Sequence, residues 1–121
     1  MGGILILHIT SRTEWEDAQK RGEYLAPSLE TEGFIHCSTE SQVLAVVNAF
    51  YHGRKDLVLL VIDKANLIPG LKWEAPAGPP AAGISESDKF PHIYGPINLT
   101  AIVSVLDFPP DPDGNWITLP L

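Results

Sequence analysis

The chain has a single cysteine, Cys37, among its 121 residues, so it cannot form a disulfide within itself. A disulfide framework of the kind that stabilises small secreted domains is therefore excluded. Basic residues are also few: eight Lys and Arg stand against 15 Asp and Glu, and the formal net charge is −7. This balance argues against an extended nucleic-acid-binding surface, because such surfaces depend on clustered positive charge.

Long hydrophobic runs are missing as well. The first apolar run, residues 3–7, is far too short to cross a bilayer, which takes about 20 apolar residues. No membrane partner is therefore predicted, and the lack of a disulfide framework favours a cytoplasmic location. Hydrophobic residues make up 45% and charged residues 19% of the chain, as is typical of a soluble globular protein. The length predicts a single domain, 1–121.

Residues 32–39, EGFIHCST, are the most informative stretch of the sequence. Residues 34–38 alternate in a way that predicts a strand, whose side chains point to opposite faces in turn. One face carries Phe34, His36 and Ser38. Cys37 belongs to the other face and cannot pair with His36 as nucleophile and base, so we interpret it as a small buried hydrophobe. The stretch therefore presents a histidine beside a hydroxyl.

Two main helices are predicted, each beginning at a capping box in which a hydroxyl residue is followed three positions later by Glu or Gln. The first runs over about 12–20, from the cap Ser11 to the stop signal Gly22. The second runs over about 40–51 after the cap Thr39, and we expect it to be the best-buried helix because apolar residues recur at helical spacing. These apolar residues are Val43, Leu44, Val46, Val47 and Phe50.

Six or seven short strands complete the predicted architecture. The predicted strands are 4–9, 34–38, 57–63, 71–74, 90–96, 101–108 and a closing hairpin strand at 116–119. Residues 22–31 are expected to be irregular because of Pro27, and residues 75–89 form a Pro/Gly/Ala/Ser-rich loop. The fold class is therefore α+β, with the helices against a curved or split sheet.

Three of the four histidines, His8, His36 and His92, lie in separate predicted strands. Each alone is typical of a core histidine with a hydrogen-bonding partner, but neighbouring strands can bring them together in one cleft. Convergence of all three would allow zinc binding in the manner of three-histidine enzymes. Their spacing includes no helical i,i+4 pair and no acidic motif at a fixed distance, so no metal site is predicted.

Two histidine-bearing strands are each followed by a hydroxyl residue and the beginning of a helix, at Ser11 and at Thr39. Helix N-termini favour anions, and Arg12 is placed to pair with a phosphate. Alternatively, both hydroxyls are ordinary caps and the arginine is a solvated charge. Together with the strand histidines, the repeated layout indicates a small nucleotide as the partner.

Several segments together resemble a known family. These segments are His8-Ile9-Thr10, Trp15 with Gly22-Glu23-Tyr24, Ser28-Leu29 followed by EGFIHCS, Asn48 with Phe50, Glu74, and FPHIYGP at 90–96. The resemblance is to the domain-of-unknown-function family nine hundred and fifty-two, short and mostly bacterial proteins with no established activity. It covers nearly the whole chain. Its fold is regarded as similar to the ADP-ribosyltransferase superfamily, which binds NAD in a cleft between two short sheets.

The resemblance implies roles for particular residues. Those expected to bind NAD or ADP-ribose are His8 on the ribose, Thr10, Arg12, Tyr24, Ser38 and Tyr94. Those expected to take part in ADP-ribosyl transfer are His36 against the nicotinamide, His92 and Glu74. The sequence departs from the superfamily pattern at the glutamate that guides transfer. The predicted strand 90–96 carries His92 and Tyr94 instead, and the nearest glutamate, Glu74, lies before the loop 75–89.

Two other functions are compatible with the residues. One is a non-catalytic binding or interaction module whose histidines are structural. The other is a zinc-dependent hydrolase, which the spacing favours least. NAD is therefore expected as ligand or co-substrate, with no metal cofactor.

Overall fold

The structure of the protein is a computed structural model that describes residues 5–76, 83–85 and 87–121. Within these ranges it contains eight strands and three α-helices, which confirms the α+β class. In chain order the elements are β1 (Leu5–Ser11), α1 (Arg12–Arg21), β2 (Glu23–Tyr24), α2 (Pro27–Thr31), β3 (Ile35–His36), α3 (Val43–Phe50), β4 (Leu57–Asp63), β5 (Gly70–Glu74), β6 (Phe90–Tyr94), β7 (Ile97–Asn98) and β8 (Ile102–Asp107). Short 3₁₀ turns precede β5 and β8.

The strands form two three-stranded antiparallel sheets, ordered β1-β4-β8 and β3-β6-β5, and a small β2-β7 pair. The two larger sheets meet where Leu7 of β1 pairs with Ser38, two residues beyond β3. Each of these residues donates its backbone N–H to the carbonyl of the other at 2.8 Å. This bridge holds the histidine of β1 close to the histidine of β3.

Both faces of β1 and β4 are covered, as the continuous apolar sequence of β4 predicted. The first six residues of β4 are buried. On one face Ile6 and Leu60 belong to the same core cluster as Ala18 of α1. On the other face Leu7 belongs to a cluster with Val43 and Val47 of α3. Burial on both faces makes β1 and β4 the rigid centre from which the site is built.

Helix α1 begins and ends as predicted. Ser11 accepts a hydrogen bond from the N–H of Glu14 at 3.0 Å, and Gly22 terminates the helix in the left-handed conformation with φ 95°. The carboxylate of Glu14 does not complete the capping box. It bonds instead to the hydroxyl of Thr10 at the end of β1, which links the helix to the strand.

The prediction of irregular structure over 22–31 is wrong in two places. Glu23–Tyr24 form β2, which pairs with β7, and Pro27 opens the short helix α2. Proline is well suited to the first position of a helix, because its missing N–H would have no intrahelical acceptor there. Pro27 therefore marks the beginning of a helix and not a break in regular structure.

Helix α3 is shorter than predicted, because residues 40–42 form a turn and the regular helix begins at Val43. Its predicted apolar stripe is only partly buried: Val43 and Val47 are fully buried, but Phe50 is 66% exposed. The prediction that Phe50 belongs to the core is therefore wrong. Its side chain lies at a cavity described below.

The closing strand predicted at 116–119 is absent from residues 108–121, all of which the structure describes. Two hydrogen bonds with Asn48 hold the backbone of Trp116 instead, at 2.9 Å and 2.8 Å. The indole of Trp116 donates to the carbonyl of Phe108 at 2.9 Å. Side-chain bonds therefore replace a strand ladder in this segment.

Only part of the predicted loop 75–89 can be compared, since residues 77–82 and 86 lie outside the described residues.

In the described ranges, no helix has both the length and the apolar character needed to span a membrane.

Candidate functional site

Two cavities lie beside β1 and β3 and share the lining residues Ile9, His36 and Tyr51. The His8 cavity has a volume of about 290 Å³, and its wall includes His8, Thr10, Glu14, Tyr24, Ser28 and Arg54. The His92 cavity has a volume of about 230 Å³, and its wall includes Ser38, Phe50, Phe90 and His92. We call the two together the cleft. His36 belongs to both halves of it.

His8 is buried and uses both ring nitrogens. Nδ1 lies 2.6 Å from the carbonyl oxygen of His36 and must donate to it, because a carbonyl only accepts. Nε2 lies 2.8 Å from the hydroxyl of Tyr24. Burial lowers the pKa of His8 to about 4, so the ring is neutral at pH 7. The first-strand histidine is thus fixed in one tautomer inside the wall of the cleft.

Tyr24 extends the hydrogen bonding towards α1. Its hydroxyl lies 2.9 Å from Oγ1 of Thr10, which in turn lies 2.8 Å from Oε1 of Glu14. Tyr24 is fully buried, and burial raises the pKa of its phenol well above the usual range. A polar row of histidine, phenol, hydroxyl and carboxylate therefore lines the His8 cavity.

His36 lies between the two halves of the cleft and is partly exposed. Its Nε2 donates to a carboxylate oxygen of Glu32 at 3.1 Å. Its ring meets the edges of two neighbouring rings, with centroids 4.8 Å from that of Phe34 and 5.5 Å from that of His92. Since His36 pairs directly with His92 in the β3–β6 ladder, strand register sets this arrangement.

His92 is almost fully buried beneath an aromatic side chain. The ring of Phe34 stacks on it with a centroid distance of 4.2 Å and an interplanar angle of 24°. Nδ1 of His92 donates to Oε1 of Glu74 at 2.7 Å, and the hydroxyl of Tyr94 donates to the same oxygen at 2.6 Å. These two hydrogen bonds, with that of Tyr94 the stronger cause, hold the pKa of Glu74 below its usual range.

Ser38 and Cys37 follow His36 and differ in their surroundings. Ser38 is buried, pairs with β1 through its backbone and lines the His92 cavity. Cys37 is buried within the hydrophobic core beside Ile35, and burial raises the pKa of its thiol. The interpretation of Cys37 as a small buried hydrophobe is confirmed.

Most of the residues expected to bind or react are thus close together. His8, Thr10 and Tyr24 line one cavity, and His92 and Ser38 line the other. Arg12 is separate: it forms an exposed ion pair with Asp107, and among the described residues of these two cavities it is not a lining residue.

Glu74 of β5 and Tyr94 of β6 lie on the β3-β6-β5 sheet, where Glu74 accepts hydrogen bonds from both Tyr94 and His92. Neither Glu74 nor Tyr94 is among the described lining residues of the two cavities. The glutamate before the long loop nonetheless reaches the late strand, since Glu74 pairs with Phe90 in the β5–β6 register. The sequence alone does not predict this contact, because Glu74 and Phe90 are far apart in the chain.

Sequence reasoning missed two contributors to the cleft, Glu14 and Phe34. Glu14 was interpreted only as half of a capping box, although its position four residues after Thr10 allows contact across the strand–helix junction. The alternation of residues 34–38 predicts the face of Phe34 correctly but not its contact. Residue spacing does not give the β3–β6 register that stacks Phe34 on His92.

Within residues 5–76, 83–85 and 87–121, no three His, Cys, Asp or Glu side chains are arranged to hold a metal ion. The nitrogens of His8 are both engaged by protein groups, which also disfavours a three-histidine ligand set.

Comparison with known proteins places the chain in a family. The model of the family described as "Protein of unknown function (DUF952)" matches residues 9–105. Among proteins with curated descriptions, none matches.

Three solved structures of protein CC0527 from Caulobacter crescentus are similar to this chain. The crystal structure is 32% identical in sequence, covers 93% of each chain and has a TM-score of 0.79. The crystal structure of a double methionine mutant is 31% identical, with the same coverage and TM-score. The solution NMR structure is 32% identical, covers 92% of this chain and 90% of that one, and has a TM-score of 0.72. The fold is therefore shared over nearly the whole length.

Proposed function

Because this chain belongs to the DUF952 family, whose description states no activity, we propose from the cleft itself that the protein binds NAD or an ADP-ribose-type nucleotide. The observation that carries the proposal is the position of His36 between two chemically different cavities. One is lined by hydroxyl, phenol and carboxylate groups, and the other lies beside the stacked rings of Phe34 and His92. A nucleotide has the same division, between ribose hydroxyls and a flat aromatic base.

The size of the cleft agrees with such a ligand. Each cavity alone is slightly smaller than the roughly 300–1,000 Å³ of typical ligand pockets, and the two together fall in that range. In this proposal the nucleotide lies where the two three-stranded sheets meet at Leu7 and Ser38, as the resemblance to the ADP-ribosyltransferase superfamily implies. In this proposal His8 and Thr10 face the ribose, and His36 contacts the nicotinamide.

The proposed reaction is transfer of the ADP-ribosyl group. The bond between nicotinamide and ribose breaks, and its electron pair leaves with neutral nicotinamide. A carboxylate stabilises the positive charge that develops on the sugar, and an acceptor nucleophile bonds to the sugar carbon and releases its proton to water. Glu74 is proposed as the carboxylate of this step. It lines neither cavity among the described residues, and in this proposal it acts through His92, which lines the His92 cavity and donates its Nδ1 hydrogen to Glu74. The hydrogen bonds of Tyr94 and His92 favour the charged form of Glu74.

The proposal is tested by NMR titration of the labelled protein with NAD and with ADP-ribose, followed by an assay of nicotinamide release. We expect shift changes concentrated at β1, β3 and β6, and loss of those changes in His36→Ala. His52→Ala is the matched control, because His52 is exposed. Shift changes scattered over the surface, or equal responses in His36→Ala and the wild type, would contradict the proposed site.

A second candidate is a non-catalytic binding module whose histidines are structural. It is favoured by the internal hydrogen bonds of His8, which occupy both ring nitrogens, and by the engagement of Glu74 with His92. This alternative predicts that His8→Ala lowers the melting temperature and that the pure protein releases no nicotinamide from NAD. Nicotinamide release by the wild type that is lost in Glu74→Gln eliminates it.

A further inference from the structure

Four contacts of hydrogen-bond length connect the centre of the cleft to helix α1 in series. They join the carbonyl of His36 to His8 at 2.6 Å, His8 to Tyr24 at 2.8 Å, Tyr24 to Thr10 at 2.9 Å, and Thr10 to Glu14 at 2.8 Å. We call this series the His8–Glu14 chain. Its two ends, a carbonyl oxygen and a carboxylate, are both acceptors.

Counting hydrogens shows that the chain is one short. A neutral His8 supplies one hydrogen, and the hydroxyls of Tyr24 and Thr10 supply one each. These three hydrogens cannot fill four links whose ends both accept, so one link is left with two acceptor atoms facing each other. When Tyr24 donates to Thr10 and Thr10 to Glu14, that link is the one between Nε2 of His8 and the hydroxyl oxygen of Tyr24. A fourth hydrogen would fill every link. Since buried polar groups are costly when unpaired, the geometry favours uptake of that hydrogen.

We propose that the His8–Glu14 chain binds one proton as a unit and conducts it between Glu14 and Nε2 of His8, which makes Glu14 the proton-exchanging group of the His8 cavity. With the proton on Glu14, the carboxylic acid donates to Thr10, Thr10 to Tyr24, Tyr24 to Nε2, and Nδ1 to the carbonyl of His36. Moving each of the first three hydrogens across its own bond gives a carboxylate and an imidazolium. No bond between heavy atoms changes, and the shift leaves a negative charge on Glu14 and a positive charge on His8.

The surroundings of His8 disfavour the form with the proton on its ring. Burial disfavours the charged ring of His8, whose pKa is lowered to about 4, whereas Glu14 is only partly buried and lines the cavity. The imidazolium form is then the transient one, formed when a group in the cavity delivers a proton. The other titratable and charged groups that act on the chain are His36 from β3, which faces His8, and Tyr51 and the buried thiol of Cys37, which act on Tyr24. The guanidinium of Arg54 interacts with Glu14.

The inference does not depend on which ligand the cleft takes. It requires only that the ligand gains or loses a proton at the His8 cavity, as an acceptor nucleophile does when it attacks. A ligand-free experiment therefore tests it separately from nucleotide binding.

The experiment follows the Glu14 side-chain carboxyl by ¹³C NMR and the His8 ring nitrogens by ¹⁵N NMR through a pH titration. In the wild type we expect both signals to respond with one common midpoint, since coupled groups titrate as a unit. In Tyr24→Phe the chain divides into two parts with no missing hydrogen. The signals of Glu14 and His8 should then no longer share one midpoint.

Thr10→Val interrupts the chain at a second point and should give the same result, which keeps the test decisive if Tyr24→Phe fails to fold. Tyr51→Phe is the matched control, because it removes a phenol from the same cavity wall without removing a link of the chain. It should keep the common midpoint. Separate wild-type midpoints for Glu14 and His8, or a common midpoint that persists in both Tyr24→Phe and Thr10→Val, would overturn the inference.

Discussion

The carboxylate of Glu74 accepts hydrogen bonds from His92 and from Tyr94 at the same oxygen atom, at 2.7 Å and 2.6 Å. Three residues from two strands are thus joined at one point on the sheet, although the glutamate precedes the histidine by 18 positions. The hydrogen bonds from Tyr94 and His92 hold the pKa of Glu74 below its usual range. The hydrogen bond to this carboxylate raises the pKa of Tyr94.

Replacing Glu74 by alanine should therefore lower the pKa of Tyr94 towards the ordinary tyrosine value of about 10, because the hydrogen bond and the nearby negative charge both disappear. The tyrosinate absorbance of the variant, followed through alkaline pH, measures this change. Tyr94→Phe serves as the control that identifies the band of Tyr94. An identical titration curve in the wild type and Glu74→Ala would show that the bond is not formed in solution.

His8 should make the protein less stable in acid. Its pKa is about 4 in the folded state, because of burial, and about 6.5 in the unfolded chain, so between these values the unfolded chain binds more protons. The free energy of unfolding should therefore fall as the pH is lowered from about 6.5 to about 4, by roughly 3 kcal/mol in total.

Urea unfolding at several pH values measures this dependence. In His8→Gln, which keeps a donor and an acceptor but cannot be protonated, the slope over the same pH range should be shallower. Equal slopes for wild type and variant would assign the acid sensitivity to other groups.

The central strand β4 should carry much of the stability. Ile62 is fully buried in it, and Ile62→Ala should lower the free energy of unfolding by about 2–5 kcal/mol through lost contacts and a cavity. The matched change Ile68→Ala lies at a side chain that is 80% exposed and should alter stability by less than about 0.5 kcal/mol. Chemical denaturation compares the two, and similar losses would mean that the core has been misplaced.

Asn48 should be what holds the C-terminal segment in place. Asn48→Ala removes two side-chain hydrogen bonds to the backbone of Trp116, and we expect a loss of about 1–3 kcal/mol with a red-shifted tryptophan emission as the indole becomes exposed. Asn115→Ala, at an exposed neighbouring asparagine, is the control and should leave the emission unchanged. No shift in Asn48→Ala would mean that the indole is held by other contacts.

Local sequence signals predicted the elements that depend on local physics. The continuous apolar run of β4 placed that strand correctly over 57–63, and the capping serine and stop glycine placed α1. Elements that depend on partners distant in the chain were predicted less well. Strand β2 exists because β7 lies beside it, and the strand expected at 116–119 did not form because Asn48 supplies the hydrogen bonds that a strand ladder would have supplied.

The candidate site shows the same division. Alternation along 34–38 placed His36 and Phe34 on one face, as their close rings confirm. The pairing of His36 with His92 and the contact of Glu14 with Thr10 depend on strand register and on the angle at which α1 leaves β1. Neither quantity is encoded in residue spacing, because each is set by packing of the whole domain.

Isothermal titration calorimetry with NAD and with ADP-ribose tests the central claim most directly. The wild type should bind at least one of the two with a measurable heat at millimolar ligand or below. His36→Ala should weaken binding about tenfold or more through the loss of the residue common to both cavities, whereas the exposed His52→Ala should not change it. The absence of binding to both ligands by the folded wild type, or equal affinity in His36→Ala, would contradict the account.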